Sequence, residues 1–137
     1  MKHAIIVDLD GTLALMGDRD PFDYARCGED VLNEPVHLVV QAYHQQYQRD
    51  IIIVSGREDT CRKQTLRWLQ RWGIPHTALY MRKARDYRKD TIVKREIYRA
   101  RIEPDYAIDF VLDDRNQVVE MWRELGLTCF QVAYGDF

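Results

Sequence analysis

Ala4-Ile5-Ile6-Val7-Asp8-Leu9-Asp10-Gly11-Thr12 is the stretch that decides the fold. Its apolar run has strand length, and it ends on two carboxylates and a glycine, where a strand hands over to a turn. The first strand is expected over residues 3–9. Ile51-Ile52-Ile53-Val54 is a second, unbroken apolar run and reads as a strand buried on both faces, as in a parallel sheet. Shorter runs at 77–81, 106–112 and 128–132 complete five strands. Between them lie stretches of helical period at 34–48, 60–72, 89–101 and 116–125. Pro35 suits a first helical turn, and Gly73 and Gly126 suit helix ends. Leu66 and Leu69 share one face of the second helix, and Ile92, Val93, Ile97 and Tyr98 one side of the third. Residues 11–33 are polar with no sustained period, and the charged segment 82–88 reads as a loop. The alternation predicts an α/β fold, a doubly wound three-layer parallel sheet.

The chain has 137 residues, of which 46% are hydrophobic, enough for one core. One domain over residues 1–137 is the expectation. No apolar stretch nears the roughly 20 residues that span a bilayer, and no signal peptide is visible, so a cytoplasmic protein with no membrane partner is expected. Cys27, Cys61 and Cys129 are too scattered for a zinc site or disulfide framework, and Cys129, in an apolar run, reads as a core thiol. Net charge is only −2. From Arg57 to Arg101, however, 14 Lys/Arg stand against five Asp/Glu, a balance of +9. Such a segment is either a surface for polyanions or a set of solvated helix faces.

In a doubly wound sheet, ligands bind outside the carboxyl ends of the strands. The residues there are Asp8-Leu9-Asp10-Gly11-Thr12, then Ser55-Gly56-Arg57, then Asp86 to Asp90 before the third helix, then Asp113-Asp114. Asp8 and Asp10, two apart, point the same way from a strand end, so one can attack phosphorus while the other handles a proton. Crowded carboxylates need a cation, and hard oxygen ligands suit magnesium. Lys89 and Arg57 are candidates to neutralise a phosphate, and Ser55 to donate to it. Each motif alone is commonplace; their conjunction and order carry the reading.

Together, Asp8-x-Asp10-Gly11-Thr12, Ser55, Lys89 and Asp113-Asp114 resemble the four motifs of the haloacid dehalogenase-like phosphatases. The resemblance spans the chain and implies a Rossmann-like core with a minimal cap. It implies that Asp8 is the nucleophile and Asp10 the general acid and then base. It also implies that Ser55 and Lys89 hold the phosphoryl group, and that Mg2+ is bound by Asp8, the Asp10 carbonyl, Asp113 and Asp114.

Further stretches are similar to the phosphatase domains of the bacteriophage-type polynucleotide kinase-phosphatases. They are Gly17-x-Arg19-x-Pro21-x-Asp23, Val54 to Glu58, Asp86-x-Arg88-Lys89-Asp90, Asp113 to Trp122 and Gln131 to Phe137. This implies removal of 3′-phosphates from DNA or RNA ends in repair, with Thr12, Arg19, Gly56, Arg57 and Asp86 at the substrate. No G-x-x-x-x-G-K-S/T occurs, so 5′-kinase activity is not expected of this chain, and a separate kinase or ligase is the expected partner. Tyr80, Tyr87 and Trp72 are candidates to stack on a terminal base, with core packing the stronger reading for Trp72. A phosphatase for nucleotides or small esters would keep every catalytic assignment. A non-enzymatic reader or receiver-like module would lack turnover.

Overall fold

The computed structural model describes residues 1–17, 20 and 23–137. Five strands form the main sheet: β1 (Lys2–Val7), β4 (Asp50–Glu58), β5 (Ala78–Arg82), β6 (Tyr106–Asp113) and β7 (Cys129–Gln131). They lie in the order β5-β4-β1-β6-β7, every neighbouring pair parallel. Two short strands, β2 (Ala14–Leu15) and β3 (Val31–Leu32), stand apart from it. The helices are α1 (Glu34–Tyr47), α2 (Arg62–Arg71), α3 (Asp90–Ile97) and α4 (Asn116–Glu124). The fold is the expected doubly wound α/β sheet.

The period-two alternation of the central strands divides the core in two. Ile5 and Val7 of β1 and Ile51 and Ile53 of β4 face α1 and α2, meeting Val36, Val40, Trp68 and Leu69. Ala4, Ile6, Ile52 and Val54 face the other way, onto Tyr98, Ile102, Val118 and Trp122. Each fully buried Ile or Val contributes about 1.5–3 kcal/mol, so the two short runs anchor both layers.

Several expectations change in detail. Residues 11–33 are not featureless: β2 pairs antiparallel with β3, and a 3-10 turn covers Tyr24–Glu29. The β2–β3 pair lies between β1 and α1. The helix expected over 89–101 begins one residue later and widens into a π turn over Tyr98–Ile102. Trp72 is 38% exposed and lies under the Arg71 guanidinium, so it is not core; Trp68, one turn earlier, fills that place at 2%. Ile92 is likewise exposed, and Cys129 is buried as expected. The basic segment is not one patch, because Arg57 and Lys94 are buried while Arg88, Arg95 and Arg99 pair with Glu96, Glu124 and Glu103.

Candidate active site

β1 delivers Asp8 to the carboxyl edge of the sheet, where its N–H donates to the Leu112 carbonyl of β6 at 2.9 Å. The chain then turns tightly, with the N–H groups of Thr12 and Ala14 both donating to the Leu9 carbonyl, at 3.2 and 2.8 Å. Gly11 takes φ +83°, and a β carbon there would collide with the Asp114 carboxylate. Glycine is therefore required both for conformation and for space. β6 brings Asp113 and Asp114 to the same edge.

Asp8, Asp113 and Asp114 are each at most 5% exposed. One carboxylate oxygen from each lies within 4.8 Å of the others. Burial, then the negative charge of Asp113, pushes the Asp8 carboxyl well above the usual carboxylate range, against the pull of Lys94. Burial likewise raises Asp114. Three dehydrated carboxylates at this spacing lack sufficient counter-charge from the protein, and their all-oxygen set fits a hard divalent cation. Asp113 is fixed by donors: its Oδ1 accepts from the Asp114 N–H at 2.8 Å, and its Oδ2 from Trp122 Nε1 at 3.1 Å. The hydroxyl of Thr12, a residue expected at the substrate, donates to Asp8 Oδ2 at 3.0 Å and so orients the carboxylate.

The lysine that the structure brings to Asp8 is Lys94, where Lys89 was expected. Lys94, on α3, is 2% exposed, and its Nζ lies 2.7 Å from Asp8 Oδ1 and 3.1 Å from Asp113 Oδ2. Burial works against its charge, but Asp113, Asp8 and Asp90 outweigh burial and hold its pKa above the ordinary lysine value. Lys89 is the exposed residue preceding α3, outside the cavity wall. The physical reason is helical direction: α3 starts at Asp90, so the inward stripe runs through Val93, Lys94 and Tyr98. A lysine set into an otherwise apolar stripe was the signal available in the sequence.

Ser55, Gly56 and Arg57 do not follow β4 but lie inside it, where its pairing with β5 shifts register between Ser55 and Glu58. The irregularity re-aims the side chains, as bulges do. Arg57 is 1% exposed and lines the cavity, and its contacts within the protein are to carboxylates and a hydroxyl. Its guanidinium forks onto Asp10, with Nε 3.0 Å from Oδ2 and Nη2 2.7 Å from Oδ1, and reaches Asp30 Oδ2 at 2.7 Å. Asp30 had no sequence signal, lying in the irregular segment. Ser55 is fully buried, and its Oγ accepts the Arg57 N–H at 3.1 Å. At Gly56 a β carbon would collide with the Asp90 carboxylate.

Arg82, which sequence reasoning missed, ties the remaining wall together. It donates to the carbonyls of Gly56, Asp86 and Arg88, at 2.9, 2.8 and 2.6 Å, and to Asp90 Oδ1 at 2.7 Å. Asp86 is held by Arg88, whose guanidinium pulls its pKa down to about 2. Arg19 lies outside the described residues. An open cavity of about 700 Å³ joins these parts, with Asp8, Asp10, Arg57, Asp86, Lys94 and Asp114 among its walls. A buried carboxylate, a positioned second carboxylate, a buried cation and a metal-ready cluster therefore share one opening, an arrangement able to carry out phosphoryl transfer.

The model of the family described as "Polynucleotide kinase PNKP phosphatase domain" matches residues 2–137. A protein of Autographa californica nuclear polyhedrosis virus, described as a putative bifunctional polynucleotide kinase/RNA ligase, is 33% identical over 134 residues, which are 96% of this chain and 19% of that protein. Two solved structures, of the Pnkp1/Rnl/Hen1 complex and the Pnkp1/Rnl/Hen1 RNA repair complex, contain chains 48% identical to this one. They superpose with TM-scores of 0.97 and 0.96, over 100% and 99% of this chain and 48% and 44% of theirs. The chain thus spans about half the length, or less, of the relatives it matches.

Proposed function

Because the chain belongs to the family of polynucleotide kinase-phosphatase phosphatase domains, we propose that residues 1–137 act as one magnesium-dependent phosphomonoesterase that removes 3′-phosphates from DNA or RNA ends. The observation that carries this reading is the ion pair between buried Asp8 and buried Lys94 at the floor of an open cavity.

Asp8 is the nucleophile. Lys94 and Thr12 hold its two oxygens, so one lone pair is aimed at phosphorus while the carboxylate stays oriented. Attack forms the Asp8 oxygen–phosphorus bond and breaks the bond to the 3′ oxygen, which Asp10 protonates as it leaves. Water then attacks phosphorus, Asp10 takes its proton, and the Asp8–phosphorus bond breaks, returning the carboxylate and inorganic phosphate. Asp10 suits both steps: Arg57 anchors it, yet its side chain keeps 28% exposure to the cavity. Asp8, Asp113 and Asp114, with the Asp10 carbonyl, would hold Mg2+, which when bound neutralises charge on the transferring group. Lys94 supplies fixed positive charge from the protein side.

In the broader setting, we assign the chain to end repair alongside a polynucleotide kinase and an RNA ligase, the activities named in the description of the viral relative. Among the described residues no helix is long and apolar enough to cross a membrane. Cys27, Cys61 and Cys129 are scattered along the chain in no disulfide-framework pattern, and the cytoplasm is the assigned location.

The test uses one oligonucleotide carrying phosphate at its 3′ end or its 5′ end, with magnesium or EDTA, and Asp8→Asn as control. Magnesium-dependent release from the 3′ form alone, abolished in the variant, is expected. Release only from mononucleotides or aryl phosphates would retain the Asp8 chemistry and discard the polymer substrate. No release from any ester would overturn the assignment.

A further inference from the structure

Residues 83–89, which join β5 to α3, form a loop whose main chain is tightly held while every residue but Asp86 is exposed. Arg82 binds the carbonyls of Asp86 and Arg88 from below. Glu58 Oε1 accepts the Arg85 N–H at 3.2 Å, and Asp59 Oδ1 accepts the Ala84 N–H at 3.1 Å. The Asp86 N–H closes a turn onto the Lys83 carbonyl at 3.1 Å. These bonds hold Arg85 at φ +66°, a conformation that costs a non-glycine residue about 1–3 kcal/mol and persists only where the surroundings impose it.

Tyr87 stands on this rigid frame. It is 86% exposed, yet it lines the same cavity as Asp8 and Lys94. Arg88 is committed to Asp86 and Glu96. Among the described residues, Lys83, Arg85 and Lys89 form no ion pair, so three exposed cations flank one exposed ring along a loop that reaches the wall of the phosphoryl pocket through Asp86, Tyr87 and Arg88. A small ester bound at Asp8 has no part that needs an aromatic platform outside the pocket. A strand does: bases stack on aromatic faces, and backbone phosphates meet lysine and arginine.

We propose that the 83–89 loop is the strand-binding subsite. Tyr87 stacks on a base beside the reacting 3′ end, and Lys83, Arg85 and Lys89 engage the backbone phosphates leading away from it. The inference rests on the 3′-end reading above and names the part of the molecule that selects polymer ends over small phosphate esters.

The experiment compares wild type, Tyr87→Ala, Tyr87→Phe and Lys83→Ala/Arg85→Ala on a 3′-phosphorylated oligonucleotide and on para-nitrophenyl phosphate. Tyr87→Ala should lower kcat/KM for the oligonucleotide roughly 5- to 150-fold, the range for one stacked base, chiefly through KM. Tyr87→Phe should restore it, and the aryl phosphate should be hydrolysed by all four proteins at similar rates. The double variant should flatten the salt dependence, by about 0.7 in log–log slope for each backbone phosphate that is no longer neutralised. Equal losses on both substrates would mean that the loop only supports the pocket, and would overturn the proposal. An active wild type with Tyr87→Ala unaffected on the oligonucleotide would also overturn it while leaving the 3′-phosphatase reading intact. A wild type that hydrolyses the aryl phosphate but no oligonucleotide end would remove the parent reading itself.

Discussion

Replacing Lys94 by methionine separates the buried lysine from its exposed neighbour in sequence, Lys89. Lys94 Nζ contacts Asp8 and Asp113 at 2.7 and 3.1 Å. At an effective dielectric of about 20 these contacts are worth roughly 6 and 5 kcal/mol before dehydration is counted. Dehydration of the charges removes much of that, but the carboxylates remain buried when the lysine goes. Removing one partner of such a pair costs about 3–5 kcal/mol. That is a large fraction of the roughly 5–15 kcal/mol typical of a domain's stability. Lys94→Met should therefore unfold at a markedly lower urea concentration in EDTA and lose phosphatase activity. Lys89→Met, at an exposed position outside the pocket, should stay within about 0.5 kcal/mol of wild type and keep its activity on para-nitrophenyl phosphate. Equal midpoints for the two variants, or full activity in Lys94→Met, would refute the placement of the cation.

Other perturbations address the rest of the frame. Arg57→Lys keeps a charge but loses the fork on Asp10, so kcat should fall roughly 10- to 100-fold with little change in KM. A rise in KM alone would indicate a direct phosphate contact. Gly56→Ala forces a β carbon into the Asp90 carboxylate, and should reduce activity more than an alanine at exposed Gly17, where nothing lies within 4 Å; equal effects would refute this packing. On the opposite side of the molecule, Asp109 accepts from Tyr43 and Arg49, at 2.6 Å each, and lies 2.8 Å from His3 Nδ1. Burial opposes its charge, but these hydrogen bonds prevail and lower its pKa. Its stabilisation is thus complete above the unfolded carboxylate value near 4 and is lost as pH falls through the folded one. Asp109→Asn should be less stable than wild type in neutral urea titrations, with the gap closing below about pH 4; a gap that widens on acidification would refute the sign.

Much of the fold was legible because two apolar runs, 4–7 and 51–54, are too short for helices and too continuous for surface strands. Alternation between them already assigns helices to both faces of the sheet. The carboxylates after β1 and β6 were legible because strand ends in this topology converge. The lysine was not, because proximity to Asp86 and Asp90 in sequence favoured Lys89, whereas the helix starts only at Asp90 and turns Lys94 inward. Arg57 was found, but its pairing with Asp10 and Asp30 was not legible, because it depends on the segment between β1 and α1, which has no periodic signal. Arg82 gave no signal at all, since most of its bonds go to main-chain carbonyls that any residue carries.

The most direct test of the central claim is to trap the phosphorylated enzyme. Protein turning over a 3′-phosphorylated oligonucleotide with magnesium would be quenched, reduced with borohydride and mapped by mass spectrometry. An acyl phosphate is reduced to the alcohol, so homoserine should be found at position 8, dependent on magnesium and absent with the 5′-phosphorylated strand. Full turnover with Asp8 unmodified, or reduction at another carboxylate, would contradict it.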